Sequence, residues 1–178
     1  MKILLVGINT KYIHSNPAVY YLRGYLLDNA ADKKLYEEST EIAEYTINMD
    51  KAAILRDLYE KNADVYCFSC YLWNIEFVDY VTRELAKIRP EVKIWLGGPE
   101  VSFDAEKRLN EKPYITGIIK GEGEKSFKKV VDNYLLEEGR ICGIVSESDM
   151  DFDKVPFPYE DLSAFAGKIV YYETSRGC

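Results

Sequence analysis

Basic residues are the minority charge here. Twenty-three Lys and Arg stand against 30 Asp and Glu, a net charge of −7 in 178 residues. Non-specific binding to nucleic acid needs a basic footprint, so this balance excludes it. The 15 tyrosines are spread along the chain and are not interleaved with basic residues. No apolar run reaches the roughly 18–20 residues of a membrane span. The opening Met1-Lys-Ile-Leu-Leu-Val-Gly7 has no small-residue cleavage site and reads as a buried strand rather than an export signal. The four cysteines, Cys67, Cys70, Cys142 and Cys178, lack framework spacing, which fits a reducing cytoplasm. No Gly-Lys-Ser/Thr follows a glycine loop, so a P-loop is excluded. What is present is ordinary globular composition, with 47% hydrophobic and 30% charged residues, enough for one well-buried domain and a tail.

Short β-rich apolar runs alternate with stretches of helical period. Residues 3–7 form a continuous apolar run, as a strand covered on both faces requires. Asn16 and Pro17 then supply an N-cap and a first-turn proline for a helix over 17–29. Residues 35–45 read as a second strand. Asn48 reads as the cap of a helix reaching about residue 62, and residues 65–69 as a third strand. Helices are predicted from Asn74 to before Pro90, over 105–110 and over 123–138, with strands at 92–96 and 114–119. Five strand–helix repeats imply an α/β fold, a three-layer Rossmann-like, doubly wound parallel sheet of expected order 2-1-3-4-5. Residues 143–146 have the character of one further short strand. Residues 1–145 are expected to form the body, and 146–167, with Pro156-Phe-Pro158, an extended linker.

In such a sheet ligands bind beyond the carboxyl ends of the strands. Four loops meet there: Ile8 to Pro17 with the only histidine, His14; Ser69-Cys-Tyr-Leu-Trp73-Asn74; Gly97-Gly-Pro-Glu100; and Gly121-Glu-Gly-Glu124. Gly97-Gly98 is either a tight turn or a place where a ligand lies directly on backbone. Gly121 to Glu124 is either a helix cap or an acceptor site for hydroxyls and amides, since its carboxylates repel phosphate. Cys67 and Cys70 sit three apart on or just after a strand and so point to opposite faces, which prevents chelation of one metal. His14, with no Asp or Glu near it in sequence, reads as a surface or hydrogen-bonded residue. Trp73 is placed either to wall a planar ligand or to staple the helix that follows.

Together these loops resemble the cobalamin-binding domain at the N-terminus of many radical S-adenosylmethionine (SAM) enzymes. In layout the chain is similar to the anaerobic magnesium-protoporphyrin monomethyl ester cyclase family. Ser69-Cys70-Tyr71 and Gly97-Gly98 stand at the separation of that family's Ser-x-Leu and Gly-Gly elements, with tyrosine in place of leucine. Leu96-Gly-Gly-Pro-Glu100, Lys120-Gly-Glu-Gly-Glu124 and Pro156-Phe-Pro158 look like the radical-enzyme branch. Glu173-Thr-Ser-Arg-Gly-Cys178 looks like the approach to its C-x-x-x-C-x-x-C motif, which makes 168–178 the start of a radical SAM domain. The resemblance implies Cys178 as the first ligand of a 4Fe-4S cluster, SAM as a second cofactor of the whole protein, and the C-terminal radical SAM domain as the partner. It implies cobalamin contacts from Asn9, Thr10, Tyr12, Ser69, Tyr71, Leu72, Gly97, Gly98, Pro99, Glu100, Gly121 and Glu122, and no catalytic residue within 1–178. Histidine-on cobalamin domains carry Asp-x-His-x-x-Gly. Tyr12-Ile-His14-Ser-Asn-Pro17 lacks both the aspartate and the glycine, so cobalamin is expected base-off, without His14 on cobalt.

The full-length reading is therefore a methyltransferase or oxidative cyclase. The alternative is a relative whose first domain has lost cobalamin and serves as a docking or substrate-binding lobe. A response regulator is disfavoured, since Asn9 and Ser69 stand where it needs acidic residues.

Overall fold

The computed structural model describes residues 1–137, 140–147, 155–159 and 161–175. Six parallel strands form one sheet of order β2-β1-β3-β4-β5-β6. They are β1 Ile3–Asn9, β2 Thr40–Thr46, β3 Val65–Ser69, β4 Lys93–Gly97, β5 Gly117–Ile119 and β6 Gly143–Val145. The expected order holds, and 143–145 adds a sixth strand beside β5. The helices are α1 Pro17–Asp28, α2 Lys33–Ser39, α3 Lys51–Lys61, α4 Ile75–Ile88, α5 Pro99–Ser102, α6 Ala105–Glu111 and α7 Gly123–Leu136. No helix among the described residues is long and apolar enough to cross a membrane.

The continuous apolar runs of β1 and β3 reflect burial on both faces, and alternation sorts them into two cores. Leu4, Val6, Tyr66, Phe68, Ile94 and Leu96 pack with α3 and α4 residues such as Ile54, Leu58, Val78 and Val81. Leu5, Cys67 and Trp95 pack on the other face with Val19 and Leu26 of α1 and Phe127, Val130 and Val131 of α7. Cys67 and Cys70 thus lie in opposite cores, as their spacing predicts. Burial pushes both thiols up to about 12, whereas Cys142 is exposed. Since the thiolate is the reactive form, iodoacetamide at about pH 8 should label Cys142 within minutes and spare Cys67 and Cys70 in the folded chain. Peptide mapping by mass spectrometry checks this.

Three local expectations are corrected. Residues 35–45 are not one strand: Asp32 accepts from the Leu35 amide at 3.1 Å and starts α2, and β2 begins only at Thr40. The residues after Asp32, Lys-Lys-Leu-Tyr-Glu-Glu, are mostly good helix formers, which explains the difference. The cap of α3 is Asp50, accepting from the Ala53 amide at 2.9 Å, while the Asn48 amide reaches back to the Thr10 carbonyl at 3.0 Å. Asn16 stands at the N-cap of α1 but makes no side-chain cap bond. Its amide is used elsewhere, as described next.

Beyond β6 the chain returns to the body. Tyr159 and Phe165 pack on Tyr20 of α1 with ring centroids 5.3 and 5.0 Å away. The Ile169 amide donates to the Ile13 carbonyl at 2.6 Å, making a parallel bridge between His14 and Ile169. Cys178, the expected first cluster ligand, lies outside the described residues.

Candidate functional site

Two neighbouring cavities open where the strand ends meet the loops. The first, about 290 Å³, lies between the sheet and helices α1 and α7. Its floor is apolar, from Leu5, Val19, Cys67, Trp95 and Phe127, and its polar lining includes Ser69, Glu122 and Glu124. Glu124 is only 3% exposed. The second, about 350 Å³, is bounded by the β1–α1 loop and the loop after β3: Asn9, Thr10, His14, Asn16, Tyr71 and Trp73 are among its lining residues. Pro17 and Tyr71 border both cavities. Tyr71 and Trp73 stack, with centroids 4.4 Å apart and planes 5° from parallel, and so form an aromatic partition. Burial raises the Tyr71 phenol above the usual tyrosine range, so it stays a neutral donor.

Of the residues singled out from sequence, Ser69, Tyr71, Gly97, Gly98, Pro99, Gly121 and Glu122 line the first cavity, and Asn9, Thr10 and Tyr71 the second. Tyr12, Leu72 and Glu100 line neither; Tyr12 and Leu72 are 77% and 79% exposed. The glycine pair divides its two readings. Gly98 has φ of 114°, and a Cβ there would collide with the Cys70 backbone, so the fold itself demands glycine. Gly97 has no such constraint: a Cβ would meet only Ile119, at 3.7 Å. Added carbon at position 97 is therefore limited by the space of the cavity it lines.

Glu44 of β2 was not singled out, yet it organises the first loop. Its Oε1 accepts from Asn9 Nδ2 at 2.8 Å and from the Asn16 amide at 2.7 Å. Its Oε2 accepts from the Tyr20 hydroxyl at 2.7 Å and pairs with Lys168 at 3.2 Å. Burial first, and then the Glu44 carboxylate, hold the Tyr20 phenol far above the ordinary tyrosine range. Asn16, fixed by Glu44, donates through Nδ2 to the Ser69 hydroxyl at 2.9 Å. The Ser69 hydroxyl in turn hydrogen-bonds the Tyr71 phenol. His14 is hydrogen-bonded, one of the two readings its sequence setting allowed, but its partner is a tyrosine and not a carboxylate. Its Nδ1 lies 2.5 Å from the Tyr171 hydroxyl and its ring stacks on Tyr171. The two are 157 residues apart, beyond the reach of local pattern. Among the described residues no group of three or more His, Cys, Asp or Glu could hold a metal ion.

An apolar slot beside a glycine strand end, under a polar first loop, is the setting for a cofactor with a long tail. The model of the B12 binding domain matches residues 3–131. The chain belongs to the B12-binding domain family. This B12-binding domain is similar to the uncharacterized methyltransferase PH0819 of Pyrococcus horikoshii, with 31% identity over 122 residues, 56% of this chain and 26% of that protein. It is also similar to the cobalamin-dependent radical SAM methyltransferase TokK of Streptomyces tokunonensis, with 31% identity over 74 residues, 42% of this chain and 11% of that protein. Among solved structures, the apo form of the cobalamin-dependent S-adenosylmethionine radical enzyme OxsB superposes with a TM-score of 0.70 at 18% identity, covering 99% of this chain and 27% of that one. OxsB with aqua-cobalamin and S-adenosylmethionine bound gives 0.66 at 17% identity, covering 92% and 25%. At that identity the likeness establishes the fold. The B12-binding domain spans about a quarter or less of the length of these relatives.

The residues present fit the cofactor. A nucleotide tail needs a narrow apolar slot beside small residues, which the first cavity supplies at Gly97 and Gly121; a Cβ at Gly121 would find no protein atom closer than 4.0 Å. Corrin amides and ribose hydroxyls need polar partners at a rim, and Asn9, Thr10, Ser69 and Glu122 are polar residues lining the two cavities.

Proposed function

We propose that this domain binds cobalamin base-off, without a histidine on cobalt, and serves as the first module of a radical SAM enzyme that alkylates or cyclises its substrate. The cavity beside Gly97 carries this reading: it is apolar, reaches in between sheet and helices, and borders a glycine the fold does not require. The tail would lie there, with Ser69 donating to a ring nitrogen and Glu122 or Glu124 accepting from ribose hydroxyls. The corrin would cover the second cavity, with Asn9 and Thr10 below it and Tyr71 and Trp73 at its side. The cofactor supplies a cobalt centre able to carry a methyl group, while the protein places it and shields its lower face. The relatives whose names include cobalamin and radical SAM support the assignment of the whole protein. Its alkylating or cyclising outcome, and a 4Fe-4S cluster begun by Cys178, belong to this proposal.

His14 is disfavoured as the lower ligand for a chemical reason. Where histidine ligates a metal, an acceptor at the other ring nitrogen fixes the proton there and frees the ligating lone pair. The Tyr171 hydroxyl at Nδ1 can donate or accept, unlike a carboxylate; when it donates, the proton stays on Nε2 and that nitrogen has no lone pair for cobalt. Hydroxocobalamin reduced to the cob(II)alamin state and bound to the chain should show base-off visible bands at the same positions in wild type and His14→Ala. A shift of those bands in the variant would establish histidine ligation. Absence of retained cobalamin at high protein concentration would favour the docking-lobe alternative.

A further inference from the structure

Residues 168–173 follow the β1–α1 loop and contribute a side chain to each cavity: Tyr171 to the second and Glu173 to the first. They are held by bonds spaced along their length. The Ile169 amide reaches the Ile13 carbonyl at 2.6 Å, and its carbonyl accepts from Ser15 Oγ at 3.2 Å. The Tyr171 ring stacks on His14, and its carbonyl accepts from the Tyr159 hydroxyl at 2.5 Å. The Glu173 amide donates to the Tyr21 hydroxyl at 2.8 Å, and Tyr21 itself lines the first cavity. Such a clasp contains little apolar burial of its own, since Tyr172 is 61% exposed and Ile169 46%. A segment of this kind opens at low free energy unless something else favours the closed form.

We propose that residues 168–173 are a wall of the corrinoid site, Tyr171 packing against the corrin edge and Glu173 accepting from the nucleotide tail. This rests on the cobalamin reading above and goes beyond it: occupancy of the site and docking of the segment stabilise each other. The coupling is reciprocal by linkage, so a change that undocks the segment weakens the ligand by the factor that the ligand strengthens docking.

The test uses the 178-residue chain, hydroxocobalamin as ligand, and cobinamide, which lacks the nucleotide tail. Ile169→Pro removes the amide that reaches Ile13 without altering a cavity-lining side chain, and should weaken hydroxocobalamin binding in equilibrium dialysis roughly tenfold, within the usual range of such coupling. Tyr171→Ala should weaken both ligands, and Glu173→Ala only hydroxocobalamin. Hydroxocobalamin should slow hydrogen exchange at residues 168–173, while the melting temperature of the apo body stays near wild type in all three variants. Wild-type affinity in both Ile169→Pro and Tyr171→Ala would overturn the proposal. So would faster exchange of the segment on adding ligand, which would mark it as a plug that the cofactor displaces. If wild type binds neither corrinoid, the cobalamin reading itself falls and this inference with it. If wild type binds and the variants match it, only the wall is lost.

Discussion

Gly97→Val should abolish measurable cobalamin binding while leaving the apo domain as stable as wild type or more so. Gly97 closes β4 and pairs with Ser69 of β3 and Ile119 of β5. Glycine weakens a strand interior, and valine suits one, so the local backbone gains from the change. The first carbon added meets Ile119 at an ordinary 3.7 Å. The remaining two extend from a residue that lines the 290 Å³ cavity, where the nucleotide tail is proposed to lie. Overlap with a rigid ring system is not relieved by side-chain motion, and roughly a hundredfold or greater loss of affinity follows once about 3 kcal/mol of contact is replaced by clash. Gly98→Ala makes the opposite pair of effects. Its φ of 114° and the Cys70 backbone beside it make any side chain costly, so the fold should lose about 1–3 kcal/mol. Thermal melts of both apo variants, set beside equilibrium dialysis of Gly97→Val against hydroxocobalamin, decide the matter. A Gly97→Val domain that binds cobalamin like wild type would place the tail elsewhere.

The contrast between these adjacent glycines shows what a sequence can and cannot convey. The Gly-Gly pair marked a strand end that borders the first cavity, but the dipeptide does not say which glycine the backbone requires. That depends on Cys70, a neighbour brought in by strand pairing. Strand periodicity was more informative. Leu5, Cys67 and Trp95 are apolar residues of runs buried on both faces, and their shared parity puts them in one core facing α1 and α7. The repeat of strands and helices likewise gave the order of the sheet, because right-handed crossovers leave few alternatives.

Side-chain direction within loops was not legible. Leu72 and Trp73 adjoin in one loop, yet only Trp73 lines a cavity, because it stacks on Tyr71 while Leu72 faces solvent. Tyr12 lies in the first loop but is largely exposed, with Lys168 5.7 Å from its ring centroid. Asn16 had the position of an N-cap and donates to Ser69 instead, a pairing 53 residues apart. The Tyr171 contact of His14 was beyond reach for the same reason. What sequence lacked in each case was the partner across a long loop, not the residue type.

Glu44 is the residue whose loss should cost the fold most near the site, and it carries the second large prediction. It occupies β2 opposite Gly7 of β1, where the absence of a side chain on β1 leaves room for Asn16; a Cβ at Gly7 would stand 3.0 Å from Asn16 Cβ. Four donors converge on its carboxylate: Asn9, the Asn16 amide, Tyr20 and Lys168. Its side chain is 10% exposed, so water replaces few of these bonds when the acceptor goes. Glu44→Leu therefore leaves a nearly buried backbone amide, a phenol and an ammonium without an acceptor, and should destabilise the domain by about 3–5 kcal/mol. Glu44→Gln retains an oxygen for the Asn9 and Asn16 donors but offers an NH₂ to Tyr20 and Lys168, so its loss should be smaller, about 1–3 kcal/mol. The two variants also separate stability from binding. With Asn16 still anchored in Glu44→Gln, Ser69 keeps its orientation and cobalamin affinity should fall only a few-fold. With the anchor gone in Glu44→Leu, the loop over residues 9–16 and the Ser69 hydroxyl lose their common reference, and affinity should fall at least tenfold at temperatures where the domain remains folded, about 1.4 kcal/mol of binding free energy. Urea denaturation gives the first quantity and equilibrium dialysis at low temperature the second. Equal affinities in the two variants would mean that Glu44 supports the fold without positioning the site.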